Sequence, residues 1–212
     1  MNLIKLSCTL LVFVALSVNN CFGQSINFSV KGGLNVSNTK FSVIVDGTSS
    51  DRDYDNRTSF FVGGGLDFSI LSKNDFKLLM QVELLYSREG NTLSFSNSDY
   101  TRILNLDQIK LPILLKNKLF NQFYLIGGGY AGYILDVQED TGTGGLRSIK
   151  DNYTNFDTGV IIGVEYHFNL GIFIESRYNY GLTDVSLIEF PDSSIKHSYK
   201  NRLFQVGVGY KF

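Results

Sequence analysis

From Ser25 onward, apolar and polar residues take turns with a period of two. Ile26, Phe28, Val30, Gly32, Leu34 and Val36 alternate with Asn27, Ser29, Lys31, Gly33 and Asn35. The pattern returns in Phe60, Val62, Gly64, Leu66, Phe68 and Ile70, and again in Phe76, Leu78, Met80, Val82, Leu84 and Tyr86. Successive side chains of a strand point to opposite faces, so each segment is predicted as a strand with one apolar face and one polar or small face. In the fourth segment Ile109, Leu111, Ile113 and Leu115 keep the rhythm, but Leu104 and Leu106 upstream are out of phase. A bulge near Asp107 or a late strand start would account for the slip. Pro112 has no N–H to give to a ladder and is expected at a bulge or an unpaired position. The remaining segments are 123–137, 156–168, 170–182 and about 201–212, which makes eight strands. They run about 10 to 15 residues against the ~5–6 usual in globular sheets, and helical periodicity competes nowhere in this stretch.

The connections alternate long and short: 37–58, 71–75, 89–103, 117–122, 138–155, a turn at His167, Phe168 and Asn169, then 183–200. Outer-membrane barrels have this asymmetry, with short periplasmic turns and long external loops, and their spans need ~9–11 tilted residues. The predicted fold is therefore all-β: an eight-stranded antiparallel up-and-down transmembrane β-barrel, both ends of the chain on the periplasmic side. Charge sorts by face. The apolar face carries almost none at its central positions, whereas Lys31, Asp67, Lys77, Glu83, Lys110, Asp136, Glu165, Glu175, Arg177 and Lys211 lie on the other. Isolated buried ions are very costly, so these five cations and five anions are expected to form a polar network inside the barrel. At eight strands side chains fill the lumen, and no open aqueous pore is expected.

Composition adjusts this picture in three places. The chain has 212 residues, 43% hydrophobic and 14% aromatic, with 19 Lys+Arg against 20 Asp+Glu. So balanced a charge offers no basic face for nucleic acid. Residues 1–23 read as a secretory signal peptide: Lys5, the apolar run Leu10–Leu16, then Cys21, Phe22 and Gly23 before a cut at Gln24. The domain proper is then 24–212. Both cysteines, Cys8 and Cys21, fall in the signal, which leaves no disulfide, thiol nucleophile or cysteine-bound metal. At the other end Val208, Tyr210 and Phe212 close an alternating segment on an aromatic residue. This ending is expected to serve as the C-terminal signal read by the barrel assembly machinery.

Four stretches resemble a known family: KGGLNVSN at 31–38, VELLYS at 82–87, IKLPILLK at 109–116 and NRLFQVGVGYKF at 201–212. They look like the PorT-type outer-membrane β-barrel proteins of Bacteroidetes-like bacteria, and the likeness spans nearly all of 24–212. The resemblance implies an eight-stranded outer-membrane barrel. Its name-giving member belongs to the type IX secretion machinery, but a shared fold does not transfer that role.

Motifs with chemical content are few. Gly127, Gly129 and Gly132 match G-x-G-x-x-G, yet Tyr133, Leu135 and Val137 continue a strand where a dinucleotide site needs a helix. Asp51, Asp53 and Asp55 resemble the opening of a calcium loop, with Asn56 in place of its glycine and Val62 in place of its glutamate. His167 and His197 belong to opposite ends of the barrel. Only His197, with Ser193, Ser194 or Ser198 and Asp192, could form a local catalytic relay. The expected function is that of a non-enzymatic, cofactor-free integral outer-membrane barrel whose external loops contact surfaces or proteins. An accessory role in type IX-like secretion is the alternative, and a lipid-modifying enzyme is more distant. Expected partners are outer-membrane lipid, the assembly machinery and envelope or secretion proteins.

Overall fold

A computed structural model describes residues 26–45, 48–53, 55–73, 76–94, 101–140, 145–187 and 195–212, with backbone alone for 40–45, 48–53, 94 and 195–198. The expected signal peptide and its cysteines lie outside these residues. Eight long antiparallel strands form a closed ring: β1 (Ile26–Val45), β3 (Arg57–Lys73), β4 (Phe76–Ser94), β5 (Thr101–Phe120), β6 (Phe123–Asp140), β8 (Phe156–His167), β9 (Ile172–Gly181) and β10 (Ile195–Lys211). β10 pairs with β1 to close it, while β2 (Thr48–Asp53) extends β1 and β7 (Leu146–Ser148) extends β6.

The register fixes the shape. From Asn27, hydrogen-bonded partners lead through Asp67, Gln81, Leu114, Gly128, Ile161, Asn179 and Leu203 back to β1 at Ser37, ten residues above the start. With a rise of ~3.3 Å and a strand spacing of ~4.8 Å, that stagger tilts the strands by roughly 41° and sets a radius of about 8 Å. The apolar faces point outward: Leu34, Val62, Leu84, Ile113, Ile162 and Val208 are each more than half exposed. On β1, β3 and β4 the apolar alternation spans eleven residues, at 26–36, 60–70 and 76–86. At that tilt such a run rises about 27 Å, close to the ~25 Å apolar band of an outer-membrane barrel.

Aromatic rings mark both edges of the belt. At the end with the short turns, Phe28 and Phe212 stack at 5.5 Å, Phe120 and Phe123 at 5.4 Å, and Tyr166 meets Phe168 at 4.9 Å. At the other end Phe60 lies 5.9 Å from Tyr86, and Tyr133 lies 5.4 Å from Phe156. Paired girdles of this kind sit at the two interfaces of a bilayer.

The expected phase slip in the fourth segment does not occur. The even positions of β5 face inward throughout, Leu104 and Leu106 together with Gln108, Lys110 and Leu114, and the two leucines belong to an apolar part of the inner face. The β5–β6 register does shift between Asp107 and Gln108, but the extra residue, Leu135, is on β6. Pro112 causes no slip. It pairs with Tyr130 on β6, while the β4–β5 ladder lapses between Ile113 and Lys110, so its missing N–H faces a gap. The strands outrun the predicted ones at the outer end. β1 and β10 stay paired up to Val45 and Ile195, so much of 37–58 and 183–200, expected as loop, is strand. Above the bilayer a ladder needs no apolar face, and polar 37–40 followed by largely apolar 41–45 gave no sustained alternation to read.

Candidate functional site

The inward face holds three tiers of polar side chains. Lowest are Asp67, Lys116, Glu165 and Lys211: Lys116 ion-pairs with Glu165 and lies 3.7 Å from Asp67, and Lys211 Nζ donates to Asp67 at 2.6 Å. His167, the last residue of β8, meets Glu165 Oε2 at 3.0 Å and stacks on Phe173 at the periplasmic rim. In the middle tier Arg177 donates to both oxygens of Glu83, at 2.7 and 2.9 Å, and to Glu175 at 2.5 Å. Lys31 donates to the same two carboxylates, at 2.5 and 3.1 Å. All four side chains are fully buried. Paired and doubly hydrogen-bonded ions of this kind survive burial, where a lone ion would not.

Above them runs a neutral amide tier. Gln205 donates to Asn35 at 2.8 Å, Asn179 to Gln205 at 2.8 Å, and Asn35 to Ser87 at 3.0 Å. Ser87 in turn donates to Glu89 at 2.8 Å, leading to the topmost group of Glu89, Lys110, Gln108 and Asp157. An apolar cluster of Leu104, Leu106, Ile134, Val137 and Val185 closes the outer end, beside a cavity of about 70 Å³ lined in part by Thr39, Asn91 and Asn201.

Of the ten residues expected inside, eight lie in these tiers, and Lys77 and Asp136 stand apart. Lys77 has inward parity but sits half-buried near the periplasmic end, with no ion pair among the described residues. Asp136 follows the bulge, which turns it away from the lumen. Its carboxylate accepts from the Ser148 hydroxyl at 2.7 Å, the Gln138 amide at 2.8 Å and the Val137 N–H at 2.8 Å. The Ser148 bond, with those from Gln138 and Val137, holds this carboxyl below its ordinary value against partial burial. Lys116, Glu89 and Asp157 were missed, although each falls in phase with an inward residue two positions away, at Leu114, Ser87 and Gly159. Also missed was the outward pair of Arg88 and Asp107, joined at 2.7 and 2.8 Å near Phe60 and Tyr86.

The remaining candidates separate. Gly127, Gly129 and Gly132 lie within β6, which continues as strand to Asp140 where a dinucleotide site needs a helix. Asp51 and Asp53 belong to strand β2, opposite Ser42 and Lys40, rather than to a loop, and Asp55 forms a bridge with Thr92. Their calcium reading assumed a turn that the backbone does not make there. His197 and Ser198 lie on β10 rather than in a loop, and residues 192–194 are outside the described ones. Val208, Tyr210 and Phe212 point outward in the periplasmic half of the belt.

Among solved structures, Neisserial surface protein A has 15% identity and a TM-score of 0.49, over 89% of this chain and 99% of that one. Ail of Yersinia pestis has 13% identity and a TM-score of 0.38, over 86% and 99%. The outer membrane protease OmpT from Escherichia coli has 12% identity and a TM-score of 0.42, over 91% and 99%. No curated protein matches the sequence. Residues 22–187, most of the chain, match the family described as outer membrane protein beta-barrel domain. With its closed ring, lipid-facing belt and charged interior, the chain belongs to that family and is a protein of the outer membrane.

Proposed function

We propose that this barrel is a non-enzymatic, non-porin surface protein that acts through its outer end, in contacts with proteins or other surfaces. The observation that carries the reading is the middle tier: Lys31, Glu83, Glu175 and Arg177 are fully buried and mutually bonded across the inside of a barrel whose backbone radius is about 8 Å. Moving ions or solutes past them would require breaking buried ion pairs, which is strongly unfavourable. Conductance tests the filled lumen. The purified protein in planar bilayers is expected to give no stable current steps, and reproducible steps would overturn the reading. Proteins that co-purify in mild detergent, and are lost when the outer ends of the strands are trimmed, test the role of the outer end.

A role in secretion rests on the four resembling stretches, 31–38, 82–87, 109–116 and 201–212. Deleting the gene and assaying export of outer-membrane-translocated cargo distinguishes it. Normal export leaves the surface role, and a block in export favours the secretion role.

A further inference from the structure

Two regions of the interior differ in charge balance. In the lower tiers Lys31, Lys116, Arg177 and Lys211 face Asp67, Glu83, Glu165 and Glu175, and each has an opposite charge within 4 Å. At the top Lys110 is the buried cation, against two buried carboxylates, Glu89 and Asp157. Lys110 ion-pairs with Glu89 Oε1, and its ammonium lies 4.3 Å from the centre of the Tyr130 ring. The hydrogen-bond partners of Asp157 are neutral instead: its Oδ2 accepts from Tyr130 Oη at 3.2 Å and Asn201 Nδ2 at 3.1 Å. Among the described residues it is the one buried carboxylate with no cation within 4 Å. One negative charge is left uncompensated in a site shut off from water, an arrangement that demands a counter-charge.

The same group holds unsatisfied acceptors. Asp157 Oδ1, Glu89 Oε2 and Gln108 Oε1 are buried without a hydrogen-bond partner, as are Gln108 Nε2 and Lys110 Nζ. Gln108 is wholly buried, and its Oε1 folds over Gly132, 2.5 Å from where a Cβ would stand. Gly132 is in turn the strand partner of both Lys110 and Asp157. Unpartnered oxygens from β4, β5 and β8 thus belong to the one group whose charge is out of balance.

We propose that Asp157 Oδ1, Glu89 Oε2 and Gln108 Oε1 bind a monovalent alkali cation, sodium first, with water completing its shell. Carboxylate and amide oxygens are hard donors suited to such ions. A single positive charge balances the group, whereas a divalent ion would leave excess positive charge beside Lys110. The route in is from outside the cell: Asn201, which donates to Asp157, also lines the cavity at the outer mouth with Thr39 and Asn91. The inference stands independently of the proposed surface role.

The test is thermal unfolding of the full-length protein in detergent, with the folded fraction read from gel mobility of unheated samples. Sodium chloride replaces N-methylglucamine chloride at constant pH and ionic strength. A saturable rise of roughly 3 °C is expected once sodium exceeds its dissociation constant tenfold. Asp157→Asn is expected to abolish the sodium response and to unfold at a higher temperature than the parent in N-methylglucamine. Gln108→Leu, which keeps both carboxylates, is expected to weaken the response at least fivefold in midpoint. Sodium-23 line broadening by the parent, absent in Asp157→Asn, gives a readout independent of stability. A parent indifferent to sodium, or one whose stability follows pH but not sodium, overturns the proposal and assigns the missing charge to a proton. A sodium response that survives Asp157→Asn overturns it as well.

Discussion

Arg177 is the most heavily bonded cation of the interior, and Arg177→Met measures what the network contributes. Its guanidinium makes three charge-assisted hydrogen bonds, two to Glu83 and one to Glu175, and lies 3.7 Å from Glu165. Taken singly, such bonds are worth ~1.5–3 kcal/mol, which would sum to well over 5 kcal/mol. Lys31 remains on both carboxylates, however, so neither is stranded. The lower network then holds three cations against four anions, and removing one partner of a buried pair costs about 3–5 kcal/mol. We expect about 4 kcal/mol for Arg177→Met, close to a thousandfold in the folding equilibrium. Glu83→Gln is expected to cost about 3 kcal/mol by the same reasoning. The double variant restores charge balance, so its loss should fall short of the sum of the singles by about 3 kcal/mol. Arg177→Lys keeps the charge and loses the two-pronged fit to Glu83, for an intermediate loss of about 1–2 kcal/mol. Guanidinium titrations in micelles, with the folded fraction read from gel mobility, give all four values. A loss below about 1 kcal/mol for Arg177→Met, or strict additivity in the double variant, would refute the view that these ions hold the barrel together as a coupled set.

Three further outcomes follow from the geometry. Ile113→Arg, in the middle of the belt, should cost about 2–4 kcal/mol in guanidinium titration, and Leu119→Arg at the periplasmic rim about 0–1; equal losses would contradict the assigned belt. Gly90 has φ +139°, and a Cβ there would stand 1.9 Å from the Leu104 carbonyl oxygen. Gly90→Ala should therefore lower stability by about 1–3 kcal/mol, measured the same way. Because its carboxyl is held below the ordinary value, Asp136 contributes stability that is complete above ~pH 4 and disappears as pH falls through the lowered folded value. Exchange of the Ser148 and Val137 amides should speed up over that acid range, and Asp136→Asn should remove the pH response.

The transmembrane half of the fold was legible because the bilayer enforces it. Every lipid-facing position must be apolar, so parity alone located the spans and set the charged residues on the inner face. Apolarity misled at Leu104 and Leu106, which keep the inward phase of β5 and are apolar because they meet the cluster at the outer end of the lumen. Above the belt that constraint ends, and the paired extension of β1 and β10 was invisible. Pairing within the lumen was equally hidden. Alternation put Lys31, Glu83, Glu175 and Arg177 inside, but it could not show that they share one tier, because that follows from a stagger of ten residues that no single strand records. Lys77 and Asp136 show the limit of parity: one keeps the inward phase too near the rim to pair, and the other lies past the bulge that reverses it.

The same stagger bears on where activity can reside. Inside the belt, the lower inward positions are committed to one another, and exchanging any single charge unbalances the set. Beyond the belt no such coupling applies. β1 continues nine residues past Val36, still paired with β10, to Val45. At the strand tilt this lifts the ends about 22 Å above the apolar band, farther than the thickness of a headgroup layer. A barrel meant only to persist in the membrane could turn back at the interface. Here the strands carry a ladder well clear of it, and its upper positions can change residue by residue without disturbing the charges below. That division suits the surface role proposed for the raised end and leaves the interior to stability and to the cation proposed at its top.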